Sequence, residues 1–441
     1  MRKLAHGGPG GSLRLTEALA ALRRRAAPFV AATFAAALAG CATVTNVPLN
    51  LPTSDAHAGL REEARASAAS EDDLLIGLSF SGGGTRAAAY SFGVLQALAA
   101  MPSLRGGPLI DRIDFISGVS GGSITAAYFG LRKREALTDC RERFLLRDAE
   151  ESLRSNVSLA NLSRGIGGGV NEDLRLRAWL DANLFGGATF ASLLTERRPR
   201  IWINATDIYN RTPFVFGKTS FAAICSNLAD YPVAAAVAAS AAVPLAFAPV
   251  VIETFPQQCG ARLPAWLERA KDKRDSPILQ AYAQGIGRYR DGSIRYIKLL
   301  DGGLADNFGL SGFTFARESA ETPYGPLRPS QAVRIRRVLF LVVDAGRGPQ
   351  QADWVQTLEG PTGLALVSAV TNAALDPSVR ASYTAFERTM ADWRNALIGW
   401  RCGAEGRRVR AQVGGGDCRD LRFYIGRIGF DQLTPGLSAQ L

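Results

Sequence analysis

Apolar positions along this chain fall into short unbroken runs, each closed by glycine, serine or aspartate, and several are followed by stretches with helical spacing. LLIGLSF (74–80) is apolar over the length of a strand. SGGGTR follows it, and then AAAYSFGVLQALAAM, where Tyr90, Val94, Leu95 and Leu98 recur at helical intervals. RIDFIS (112–117) predicts a second strand, and SITAAYFGLRKREAL a second helix. Strand, glycine-rich turn and helix, twice over, predict an α/β fold with buried strands.

The same reading extends down the chain. RIWINATD (200–207), YIKLLDGG (296–303) and VRIRRVLFLVVDAG (333–346) predict further buried strands. Residues 234–250, almost wholly small and apolar, belong in the core. Residues 350–400 read as mostly helical, and DLRFYIGRI near the end as one more strand, on a sheet edge. The block 140–199 is more charged and irregular. Within it DLRLRAWLDANLF reads as an amphipathic helix that either covers a substrate site or makes ordinary surface packing.

The first forty residues break this pattern. Three arginines at 23–25 precede FVAATFAAALAG, an apolar run too short to span a bilayer. It ends Leu38-Ala39-Gly40-Cys41, which resembles the lipobox of bacterial lipoproteins. That resemblance implies a signal peptide over 1–40 and lipidation of Cys41. With Ala42 next, it also implies sorting to the outer membrane of the cell envelope. Residues 41–73 are mostly small and polar and predict a flexible tether.

The signal carries much of the charge. The whole chain has a formal net charge of +11, and six of the Lys/Arg residues but only one acidic residue precede Cys41, which leaves +6 beyond the signal. Such a surplus suits an anionic lipid surface or a basic soluble protein. No basic run interleaved with aromatics follows the signal, which argues against nucleic-acid binding. The cysteines at 140, 225, 259, 402 and 418 match no zinc spacing, and no metal or cofactor is expected. Cys402 and Cys418, bracketing a Gly- and Arg-rich loop, are the most natural disulfide pair, and the odd count leaves a thiol over.

The candidate chemistry centres on FISGVSGGS (115–123). Ser120 lies inside G-x-S-x-G between a strand and a helix, the pattern of a nucleophile elbow. A base of the usual kind is missing, because the two histidines are His6, before the cleavage point, and His57, in the tether. No lysine stands at S-x-x-K spacing. Asp301 closes a buried strand ahead of two glycines, where open α/β sheets gather functional groups, although Asp-Gly-Gly is also an ordinary turn. SGGGTR fits neither nucleotide-binding glycine pattern. Beside a nucleophilic serine its backbone N–H groups could form an oxyanion hole, and Arg86 could steady that loop or attract an anionic head group.

Together these motifs resemble the patatin-like phospholipase family. Gly82, Gly83, Gly84, Thr85 and Arg86 match its G-G-G-x-R loop, and Gly118, Val119, Ser120, Gly121 and Gly122 its G-x-S-x-G. Asp301, Gly302 and Gly303 match its D-G-[GA], and Ala239 to Pro249 its A-S-x-A-x-P-x-x-F-x-P block. The four blocks occur in the family order over roughly residues 74–310. The resemblance implies a three-layer α/β/α sandwich with a mostly parallel sheet and a catalytic domain over 74–349; residues 350–441, outside its motifs, read as a C-terminal helical extension with an edge strand, packed on the same domain. It implies a Ser120–Asp301 dyad without histidine, an oxyanion hole from Gly82, Gly83 and Gly84, and supporting roles for Arg86, Gly118, Gly122 and Gly302. The expected activity is hydrolysis of fatty-acyl esters of phospholipids or lysophospholipids through an acyl-enzyme. General ester hydrolysis, acyl transfer, and a non-catalytic membrane-anchored scaffold are the other readings.

Overall fold

Strands that are apolar on both faces need cover on both sides, and here most of the eight strands among the described residues are of that kind, in one mixed sheet whose edge strand β8 is only partly covered. The structure is a computed structural model that describes residues 46–53, 73–103, 106–147, 173–194, 198–244, 246–260, 263–272, 276–346 and 353–432. The strands are β1 (Leu74–Phe80), β2 (Ile113–Val119), β3 (Arg200–Asp207), β4 (Thr212–Phe216), β5 (Val250–Glu253), β6 (Tyr296–Asp301), β7 (Arg337–Asp344) and β8 (Arg422–Gly429). Their order is β5-β6-β3-β2-β1-β7-β8, with β4 paired to β3. From β3 through β8 all pairings in that order are parallel, while β4 and β6 run antiparallel to β3, and β5 to β6.

Helices cover both faces, giving an α/β/α sandwich. Those that bear on the site are α1 (Gly84–Ala100), α2 (Gly121–Arg132), α3 (Asp173–Leu180), α4 (Val233–Ser240), α5 (Gly303–Asp306), α6 (Ser311–Glu318) and α7 (Gly363–Cys402). The alternation of β7 shows the division. Val338, Phe340 and Val342 join Phe386, Met390, Trp393 and Leu397 of α7 in one core. Val343 and its neighbours Leu339 and Leu341 face the other core, with Phe92 and Leu95 of α1 and Phe129 of α2. Strand β8 pairs with β7 along its whole length, so the C-terminal region completes the sheet edge.

Two strands lie outside the sequence expectation. TPFVF (β4) is short and carries a proline, and VVIE (β5) ends a small-residue stretch whose composition hides the change from helix to strand. The expected amphipathic helix is α3, which packs on α4 and buries Leu176 and Leu180, and the turn that continues it buries Leu184 and Phe185.

The expectation of a free tether over 41–73 is corrected for residues 46–53. The Asn46 amide donates to the Pro249 carbonyl at 2.9 Å. The Asn50 amide donates to the Glu253 carbonyl at 2.8 Å, and its Oδ1 accepts the Glu253 N–H at 3.0 Å. Asn50 thus behaves as a strand neighbour to β5, whose outer edge offers unpaired backbone groups. Cys41, His57 and residues 54–72 lie outside the described residues.

Strand β3 acts as a ruler for the site. A strand has two hydrogen-bonding edges, and β4 takes one edge of β3 over Ile203–Asp207. On the other edge β2 ends with Val119 opposite Asn204, and β6 ends with Asp301 opposite Ala205. The residue after β2 is Ser120. Two strands entering from opposite directions therefore stop at consecutive positions of β3.

Candidate active site

Ser120 stands at the turn from β2 into α2 with φ 51° and ψ −122°, a left-handed conformation that costs a non-glycine residue roughly 1–3 kcal/mol. Its surroundings hold it there. The Ser120 N–H donates to Ser240 Oγ at 2.8 Å, and the Ser123 hydroxyl donates to the Ser120 carbonyl at 2.6 Å. The turn is also too tight for side chains. A Cβ on Gly118 would meet Ser123 Cα at 2.6 Å, and one on Gly122 the Phe80 carbonyl oxygen at 2.5 Å. Ser120 is 6% exposed, so its hydroxyl lies in an enclosed site at the sheet's edge of strand ends.

Asp301 ends β6 beside the Ser120 turn, close enough that the serine hydroxyl bears on its carboxyl. Its Oδ1 also accepts the Gly303 N–H at 2.8 Å. Burial pushes the Asp301 carboxyl up to about 6, and the hydrogen bonds from Ser120 and Gly303 pull against that rise. The residue keeps a partial opening to solvent. Its backbone is tied to the same framework as the serine: the Asp301 N–H donates to the Ala242 carbonyl at 2.9 Å and the Gly302 N–H to the Ser240 carbonyl at 3.1 Å. Gly302 presses on β3, where a Cβ would fall 2.2 Å from the Asn204 carbonyl oxygen.

The glycine loop between β1 and α1 lies against the same turn: a Cβ on Gly82 would fall 3.4 Å from Ser120 Cβ, and one on Gly121 1.8 Å from the Gly84 carbonyl oxygen. Gly83 and Gly84 have φ of 138° and 63°, and their N–H groups have no hydrogen-bond partner among the described residues. They sit at the start of α1, where the helix dipole favours negative charge. Gly82 departs from the sequence expectation as a donor, because its N–H is engaged by the Asn307 carbonyl at 3.1 Å. Arg86 steadies the loop: its Nε donates to the Ala345 carbonyl at 2.9 Å, just past the end of β7.

Several residues around the site were not singled out from the sequence. Ser240, Asn204, Ser81 and Asn307 all brace the three turns. Asn204 Nδ2 donates to the Gly118 carbonyl at 2.8 Å, and Ser81 Oγ accepts the Ala345 N–H at 2.8 Å. Only Ser240 carried a signal, since it lies in the small-residue block between Ala239 and Pro249. The arrangement as a whole can pass a proton from a hydroxyl to a carboxylate and offer two amide N–H groups to a developing anion. Among the described residues no three His, Cys, Asp or Glu side chains are grouped to hold a metal ion.

The family model described as patatin-like phospholipase matches residues 78–314, which take in the site's turns from the glycine loop to the Asp301 turn. Among solved structures the chain is similar to human GIVD cytosolic phospholipase A2, with 12% identity, a TM-score of 0.35, and coverage of 73% of this chain and 51% of that one. The same human enzyme with methyl gamma-linolenyl fluorophosphonate and terbium chloride matches at 13% identity and a TM-score of 0.32, covering 65% of this chain and 44% of that one. The chain thus spans about half the length of the human enzyme or less. No curated protein matches. With the family model covering more than half of its length, the chain belongs to the patatin-like phospholipase family.

Proposed function

We propose that this family member hydrolyses fatty-acyl esters of phospholipids or lysophospholipids with Ser120 as nucleophile and Asp301 as its base. What supports the reading is that β2 and β6 end at consecutive positions of β3, which sets Asp301 beside the Ser120 turn, its carboxyl pushed up to about 6, ionised at neutral pH yet basic enough to take a proton. Asp301 removes the hydroxyl proton as Ser120 Oγ bonds to the ester carbonyl carbon. The negative charge moves to the carbonyl oxygen, where the Gly83 and Gly84 N–H groups and the α1 dipole stabilise it. As the intermediate collapses, the ester C–O bond breaks and the leaving alkoxide takes the proton from Asp301. Water then attacks the acyl-serine, giving its proton to Asp301, and the fatty acid leaves as Ser120 recovers a proton.

The site's own approach to a membrane follows from the N-terminus. If Cys41 is lipidated, as its lipobox resemblance implies, Asn46, held at Ala248–Pro249, is only five positions along the chain from the anchor. Fully extended, that stretch reaches about 18 Å. An outer-membrane lipoprotein built this way works on lipid of the membrane that carries it.

The test is intact mass after exposure to a fluorophosphonate, with wild type beside S120A and D301N. A single adduct on wild type, none on S120A and little on folded D301N is the expected result. An equal adduct on S120A, or no adduct on folded wild type with or without micelles, would overturn the dyad.

A further inference from the structure

The mechanism above leaves Asn307 unused, although it stands where the glycine loop and the Asp301 turn come closest. Its backbone carbonyl holds the Gly82 N–H at 3.1 Å. Its side chain fills the space beside the same glycine: a Cβ on Gly82 would fall 2.4 Å from Asn307 Oδ1 and 3.4 Å from Ser120 Cβ. The carboxamide presses on the acid's turn as well. A Cβ on Gly303 would fall 2.8 Å from Asn307 Oδ1 and 3.1 Å from Asp301 Oδ1. One amide therefore touches both glycines that border the serine and the aspartate.

We infer that Asn307 is a positioning residue that sets the height of the oxyanion loop above Ser120 and the distance of that loop from Asp301. The inference rests on the Ser120–Asp301 reading and deepens it. The loop and the acid come from segments more than two hundred residues apart, and Gly82 and Gly303, lacking side chains, cannot space themselves. The carboxamide supplies the missing volume between them, and the carbonyl of the same residue fixes its register. Asn307 follows the short helix α5, which is continuous with the Asp301 turn, and Asp306 beside it is locked by the Ser311 N–H at 2.6 Å. The spacer is thus attached rigidly to the acid and bears on the donors.

A double-mutant cycle on a soluble chromogenic ester, p-nitrophenyl butyrate, tests this, using the full chain. N307A is expected to lower kcat about 10–100-fold, the cost of a misplacement near 1 Å, with KM changed less than about 2-fold. G82A displaces the same carboxamide from the other side and should give a similar loss. The G82A/N307A pair should be no worse than the worse single variant, because both remove one interaction. Should N307A not fold, G82A against wild type still reads the displacement. Wild-type kcat in N307A, or losses that multiply in the pair, would overturn the inference. Fluorophosphonate labelling separates this from failure of the underlying reading. A Ser120 adduct formed at equal rate in wild type and N307A sinks only the role of Asn307, while no adduct on folded wild type sinks both.

Discussion

The hydroxyl of Ser240 accepts the Ser120 backbone N–H at 2.8 Å and donates to the Asn204 carbonyl at 2.6 Å, so the strained elbow is tied through one buried side chain to strand β3. Since the Ser240 carbonyl also accepts the Gly302 N–H, the same residue braces the turn of the acid. In S240A two buried backbone groups lose their partner, at about 1–3 kcal/mol each. The expected result is a melting temperature several degrees lower and a kcat reduced at least about 10-fold, read by thermal melts and ester turnover.

Activity should follow the protonation of Asp301. In the proposed dyad its carboxylate takes the Ser120 proton, and burial pushes its pKa up to about 6. The rate kcat/KM on a soluble ester should therefore climb as pH rises through about 6 and level off above it. A profile with no limb between pH 5 and 7 would assign the base elsewhere.

The same shift predicts a stability effect of definite sign. The folded pKa of Asp301, about 6, lies above the ordinary value of 3.8, so between those values the folded state binds more protons than the unfolded one. Stability contributed by this group is full below about pH 4 and lost as pH rises to about 6, by at most about 3 kcal/mol. D301N removes the buried charge and keeps an oxygen for the Gly303 N–H. It should melt higher than wild type at pH 7, with the difference vanishing near pH 4.

Two glycines of the site should respond oppositely to alanine. A Cβ on Gly121 would lie 1.8 Å from the Gly84 carbonyl oxygen, a backbone atom that cannot step aside. G121A is expected to abolish soluble folded protein. Gly84, with φ 63°, has nothing within 4 Å of an added methyl, so G84A meets only the backbone cost of about 1 kcal/mol. Expression, solubility and melting of the two variants compare these directly.

The disulfide between Cys402 and Cys418 closes a short loop at the end of α7, with Cα atoms 5.2 Å apart. A loop of this length is worth about 3 kcal/mol. C402S/C418S should lose about that much in denaturant melts while keeping kcat, since the pair lies in the C-terminal region away from the strand ends that carry Ser120 and Asp301.

How much of this was written in the sequence can be followed element by element. The bounds of β1 and β3 coincide with the apolar runs LLIGLSF and RIWINATD, because a strand buried on both faces leaves an uninterrupted apolar signature. The turns after β2 and β6 were legible for the same reason, since glycines follow each run, while the pairing of Ser120 with Asp301 came only from the family resemblance. The Cys402–Cys418 pair followed from its spacing, whereas Cys225–Cys259 joins segments whose proximity no local pattern announces, and Cys140 remains free and buried.

Local sequence, acting through hydrogen bonding, burial and steric limits over a few residues, determined which strands and turns form and which residues end them. Only the tertiary structure decided what meets at those ends. It fixed Val119 and Asp301 at consecutive positions of β3, gave the Gly82 N–H to Asn307, and made Ser240 the brace between serine and acid. Those relations join segments distant along the chain, and they exist only once the sheet has set their register.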